Sequence, residues 1–167
     1  LALGMYELAP LWHALFTSLG FEVVLSGLSN RKTYEAGQFS IPSDTACYPA
    51  KIMHGHIETL LKNGVDTIFY PCLTYNVDEK ASDNHYNCPV VAYYAELLQA
   101  NMDDLKRAHF VYPYLSIDSR AALTRTLLPA LRELDSTIRR AEVRRAVDRA
   151  FEAYDAYLDA LHTAGKN

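Results

Sequence analysis

The chain has 167 residues, half of them apolar, enough for one domain with a sizeable core and short for two. A formal net charge of −4 and an isoelectric point near 5.8 give the whole molecule no electrostatic reason to seek nucleic acid or an anionic membrane. No apolar run approaches the roughly 20 residues that span a bilayer, no secretory signal pattern opens the chain, and three cysteines, an odd number, argue for a reducing, cytoplasmic setting.

The sequence begins Leu1-Ala-Leu-Gly-Met5 rather than with an initiator methionine, which reads as a piece of a longer protein. Leu1 to Tyr6 reads as the end of a first strand, and Pro10 to Gly20 as a helix with Gly20 at its C-terminal end. Phe21-Glu-Val-Val-Leu-Ser26 is apolar, β-branched and bounded by glycines, the pattern of a buried strand. Asn30 to Gly37 reads as a short polar helix. A second helix runs from about Pro49 to Asn63, with Met53, Ile57, Leu60 and Leu61 on one stripe and Asn63-Gly64 as its stop.

Val65 to Tyr70 is the next strand and ends at Pro71-Cys72. Residues 74–87 are polar and aperiodic, a long exposed loop closed by Cys88-Pro89. Val90 to Tyr94 reads as a strand leading into a short helix through about Gln99, and His109 to Tyr114 as a further strand. Tyr112-Pro113-Tyr114 echoes Tyr70-Pro71-Cys72, with a tyrosine in place of the thiol. Beyond Ile117 two helices follow, Asp118 to Leu134 and Ser136 to His162. The last 67 residues hold eleven of the sixteen Lys and Arg, several of them on one helix as Arg139, Arg140, Arg144, Arg145 and Arg149. Those arginines form either a solvated face interleaved with Glu142, Asp148 and Glu152 or a docking surface for an acidic partner.

Strands alternating with helices imply one α/β domain over residues 1–167: a mainly parallel sheet with helices on both faces from 1–115, then a helical pair from 116–167. Ligand sites in such sheets lie off the carboxyl ends of the strands. All three cysteines stand within two residues of a proline, in Cys47-Tyr-Pro49, Pro71-Cys72 and Cys88-Pro89. Cys47 just precedes a helix start, where free N–H groups and the helix dipole favour a thiolate. Spacings of 25 and 16 residues exclude a zinc finger or a thioredoxin-type pair, and suit a site assembled by the fold. Soft thiolates select iron–sulfur clusters or zinc; the alternative is that each cysteine is a small buried apolar residue. His54 and His56, two apart on a helix, face different ways and do not form a paired ligand set. His85 is either a fourth ligand or a loop residue without a role. Lys51 either orients an anion or is simply exposed. No Gly-rich phosphate loop is present, so the sequence holds no recognisable ATPase motif.

Met5-Tyr-Glu, Trp12-His, Leu19-Gly-Phe-Glu-Val-Val-Leu-Ser26, Asn30-Arg-Lys-Thr-Tyr34, Cys47-Tyr-Pro-Ala-Lys51, His54-Gly-His56, Phe69-Tyr-Pro-Cys72 and Asn84-His-Tyr-Asn-Cys-Pro89 occur in this order. Together they resemble the uncharacterised domain of CoA-substrate-specific enzyme activases, itself similar to subunits of 2-hydroxyacyl-CoA dehydratases. The likeness is dense over residues 1–115. It implies a Rossmann-like domain in which Cys47, Cys72 and Cys88 hold a [4Fe–4S] cluster with one iron left without a cysteine. It also implies an anaerobic system with an activase ATPase domain or a dehydratase subunit as partner and an acyl-CoA as possible substrate, the domain accepting or relaying a low-potential electron. Two other readings stand beside it: a docking module without a cluster, and a zinc site of the three cysteines completed by His85.

Overall fold

The computed structural model describes residues 1–78, 80 and 83–166. It is an α/β structure whose short strands are all parallel. The elements are α1 (Gly4–Glu7), α2 (Ala9–Ser18), α3 (Arg31–Gly37), α4 (Tyr48–Lys62), β1 (Thr67–Phe69), β2 (Cys72–Tyr75), α5 (Pro89–Asn101), β3 (His109–Val111), β4 (Tyr114–Ser116), α6 (Arg120–Leu134) and α7 (Arg140–Ala164), with short 3-10 turns at Gln38–Ser40 and Asp103–Arg107. The chain divides into two compact units, one of Leu1–Tyr6 with Val24–Asp118 and one of Glu7–Val23 with Ser119–Asn167.

In the first unit β1 pairs with β3 and β2 with β4. Thr67 stands opposite His109 and Cys72 opposite Tyr114, the same offset in both pairs. The repeated Tyr-Pro is thus a matter of register: Pro71 and Pro113 fall at corresponding places, and a residue without an N–H interrupts a ladder there. Bonding resumes on either side, from Tyr70 N–H to the Val111 carbonyl and from Cys72 N–H to that of Pro113, both at 3.0 Å. The core of this unit gathers Ile52, Met53 and Ile57 from α4, Ile68, Tyr70 and Cys72 from the strands, and Tyr94, Ala95 and Leu98 from α5.

Helix α3 starts at Asn30, whose side chain accepts the Thr33 N–H, and crosses α4 at very close range. A Cβ on Gly55 would overlap the Thr33 carbonyl, and one on Gly37 would overlap the Gly55 backbone. Glycine is required at both positions because two backbones meet there. Gly64 closes α4 with a φ of 78°, as Asn63-Gly64 foretells.

The second unit is helical. On α2, Leu11, Trp12, Leu15 and Phe16 are buried, a helical stripe that packs with α7, where Val143, Ala146, Val147, Ala150, Phe151 and Tyr154 are buried. Leu123, Leu127 and Leu131 of α6 are buried as well, and α6 packs with α7. The Tyr154 hydroxyl donates to the Glu7 carboxylate at 3.0 Å.

Three expectations need correction. Residues 1–6 end no strand; a helical turn begins at Gly4. Phe21 to Ser26 forms no strand, and Val24 and Leu25 are each 49% exposed, because among the described residues no neighbouring strand pairs with that segment. Val90 to Tyr94 is the first part of α5, since Pro89 at the first helical position fixes a helical φ and Ala92, Ala95 and Leu98 recur at helical spacing. The segment after β2 is also less free than a long loop: Tyr75 bridges Tyr86, and Asn76 N–H reaches the His85 carbonyl at 2.9 Å. Glu79, Ala81 and Ser82 of that segment lie outside the described residues.

Candidate functional site

Two of the three cysteines occupy equivalent positions. Cys47 is the residue before α4 and Cys88 the residue before α5, both with extended backbone (φ −64°, ψ 155° and φ −61°, ψ 153°), both exposed and both followed by a proline in the first helical turn. Neither side chain caps its own helix, so both thiols stand beside helix N-termini without being consumed by them. Cys72, at the start of β2, is fully buried. Burial pushes its thiol up to about 11, with Glu96 adding to the rise, while backbone groups of Glu96 and Ala95 pull the other way. Cys72 therefore keeps its proton at neutral pH.

Two buried tyrosines lie within electrostatic range of the thiols. Tyr70, 4% exposed, is raised above the usual phenol range first by burial and then by Cys72, Tyr94 and Cys88. Tyr94, 3% exposed, is pushed up to about 12 by burial and then by Cys47. Both phenols stay neutral. Cys72 touches α5 at Ala95 and Glu96, whereas Cys88 precedes the same helix, a rise of about 11 Å along the axis. Among the described residues no three or more His, Cys, Asp or Glu side chains stand as a group able to hold a metal ion. The donors suit an iron–sulfur cluster in kind, being three thiols, two of them at helix N-termini. In position they are not gathered into one group.

The histidines between them are structural. Ser40 Oγ donates to the Gly37 carbonyl at 3.0 Å and so faces His54 Nδ1, 2.8 Å away, with a lone pair. His54 Nδ1 then carries the proton, and Nε2 accepts the Tyr94 hydroxyl at 2.9 Å. His56 has the other tautomer: Ser29 Oγ donates to the Leu1 carbonyl and accepts from Nε2 at 2.9 Å, leaving Nδ1 to accept from Ser26 Oγ at 2.9 Å. Burial lowers both rings to about 4. As their spacing of two foretells, they face different partners, and neither has a free nitrogen for a ligand. His85 does: its Nδ1 is buried without a hydrogen-bond partner, and the ring packs on Tyr75 at 5.9 Å. Lys51 Nζ is taken by the Asp44 carbonyl at 2.7 Å.

Sequence reasoning missed Tyr94 as the partner of His54, because it placed that residue on a strand. It also missed the Gly37 and Gly55 crossing, for which a glycine inside an otherwise apolar helix was the available signal.

The fold and this site define an α/β structure that carries three free thiols and two buried, neutral tyrosines. The chain belongs to the CoA enzyme activase uncharacterised domain family (DUF2229), whose family model matches residues 1–167. No curated protein and no solved structure matches it. Among the described residues no helix is long and apolar enough to cross a membrane.

Proposed function

We propose that this domain is the iron–sulfur part of a CoA enzyme activase and 2-hydroxyacyl-CoA dehydratase type of system, with Cys47, Cys72 and Cys88 as the ligands of a [4Fe–4S] cluster. What supports this reading is the family to which the chain belongs, together with three free thiols, Cys47 and Cys88 each at a helix start and Cys72 at the start of β2. Such a cluster supplies one-electron chemistry at low potential and, at an iron without a cysteine, a position for an exchangeable ligand.

The protein's own contribution is to present and protect. Cys47 and Cys88 stand exposed at the starts of α4 and α5, accessible to an incoming ligand. Tyr70 and Tyr94, neutral and buried, exclude water beside them. Cys72 must release a proton to become a ligand, so loading is expected to improve as pH rises. We read the paired parallel strands as the centre of a Rossmann-like three-layer domain working in the cytoplasm of an anaerobic cell. ATP hydrolysis belongs to an activase ATPase partner, and the acyl-CoA substrate to a dehydratase partner.

The test is anaerobic reconstitution of the full chain with iron and sulfide, followed by iron and sulfide assay and absorbance, beside a Cys72→Ala variant. A brown native protein and a colourless variant are expected. A native sample that stays colourless and iron-free would overturn the reading.

Two observations favour other readings. The thiols are not gathered, and Phe39 and Tyr48 are 93% and 56% exposed near the start of α4, which suits a docking module without a cluster; it predicts that the three cysteines can be replaced together without loss of partner binding. The unpartnered His85 Nδ1 suits zinc, which metal analysis would detect without sulfide.

A further inference from the structure

The helical unit carries a surface that the thiol chemistry does not use. A groove of about 580 Å³ lies between α6 and α7, lined by Arg120, Ala121, Thr124, Arg140, Ala141, Arg144 and Asp148. Its charges do not cancel. Arg120 is held in place by Asp148 at 3.6 Å, by Asp155 at 3.8 Å and by the Phe151 ring, whose centroid is 4.9 Å away. Arg140 and Arg144 are exposed, one helical turn apart, and among the described residues neither has an ion pair. The groove thus sets three guanidinium groups against one carboxylate, around a floor made narrow-sided by Ala121, Ala141 and Thr124. A second groove on α7 gathers Arg145 and Arg149 with Asp135 and Glu142, and Glu142 there also pairs with Arg139 at 2.9 Å.

We propose that the groove of α6 and α7 is a docking surface for an acidic, amphipathic helical segment of a partner protein. Apolar side chains of the partner seat on the small-residue floor, and its carboxylates engage Arg140 and Arg144, the two guanidinium groups left without partners. This is the helix-in-groove mode, with charge complementarity setting orientation and encounter rate. The proposal concerns the helical unit and stands independently of what the cysteines hold.

The test titrates the 15N-labelled full chain with a synthetic peptide of Leu and Glu patterned as an amphipathic helix of roughly four turns, and in parallel with inorganic phosphate. Amide shifts are expected to concentrate at residues 120–124 and 140–148 and to weaken with salt. Arg140→Glu with Arg144→Glu, on an exposed helix face, is expected to lower peptide affinity by about tenfold or more, and a matching Leu and Lys peptide to bind the reversed protein instead. Peptide binding that ignores the reversal, shifts that fall elsewhere, or phosphate binding tighter than the peptide would each overturn the proposal, the last by making the groove a small-anion site.

Discussion

The crossing of α3 and α4 and the assembly of α2, α6 and α7 solve the same packing problem by different means. In the first, two backbones meet at Gly37 and Gly55 and bury neutral polar groups, with His54 and His56 flanking the contact. In the second, stripes of Leu, Phe, Val and Ala interlock, with few polar groups inside, among them Thr124 and the Tyr154 hydroxyl. One contact depends on particular atoms and the other on a pattern. The first should fail abruptly on small changes, while the second should lose stability in proportion to what is removed.

The largest expected effect is from Gly55→Ala, a single added methyl that meets the Thr33 carbonyl: about 3 kcal/mol or more, or no folded protein, as followed by urea denaturation. In the helical assembly Leu127→Ala should cost about 3 kcal/mol by removing the three carbons beyond Cβ of a fully buried side chain, with the unfolding transition still cooperative. An equal cost for one methyl and one isobutyl group would sharpen the contrast; a tolerant Gly55→Ala would break it.

Next comes pH. His54 and His56 are held neutral, with pKa values near 4 against an ordinary 6.5, burial being the main cause for both. As pH falls below 6.5 the unfolded chain takes up these protons first. The stability they confer is therefore present above about 6.5 and lost as pH falls through 4, at roughly 2 kcal/mol per ring after allowance for solvent screening. Thermal melts between pH 7 and 4 should show this loss, and His54→Gln should remove part of it. Tyr94→Phe is milder: it deletes the hydroxyl donated to His54 Nε2 and should cost about 1–2 kcal/mol. At the bottom of the scale, Arg31→Ala removes a fully solvated i, i+4 pair with Glu35 and should leave the melting temperature unchanged.

Legibility followed the same division. The helices of the second unit were readable because periodicity alone determines them, and the start of α4 because Pro49 fixes φ there. Helix α5 itself was misread at Val90 and Val91, where β-branching suggests a strand while the register of Ala92, Ala95 and Leu98 supports a helix. Phe21 to Ser26 has strand composition, but composition does not supply a neighbour to pair with. The position of Cys47 just outside a helix was legible from Pro49, whereas Cys88 was read as the end of a loop before a strand. The burial of Cys72 and its seat on α5 were not, since they depend on which helix covers β2. The Tyr-Pro echo was visible as a repetition, and only the common register of β1 with β3 and β2 with β4 shows why it recurs.

The most direct measurement is the iron and acid-labile sulfide content of the anaerobically reconstituted chain and of the single variants Cys47→Ala, Cys72→Ala and Cys88→Ala. If the three thiols serve one [4Fe–4S] centre, the native chain binds equal amounts of iron and sulfide, and each variant loses nearly all of both. Iron or sulfide retained in full by any one variant, or zinc in place of iron, would contradict a shared cluster.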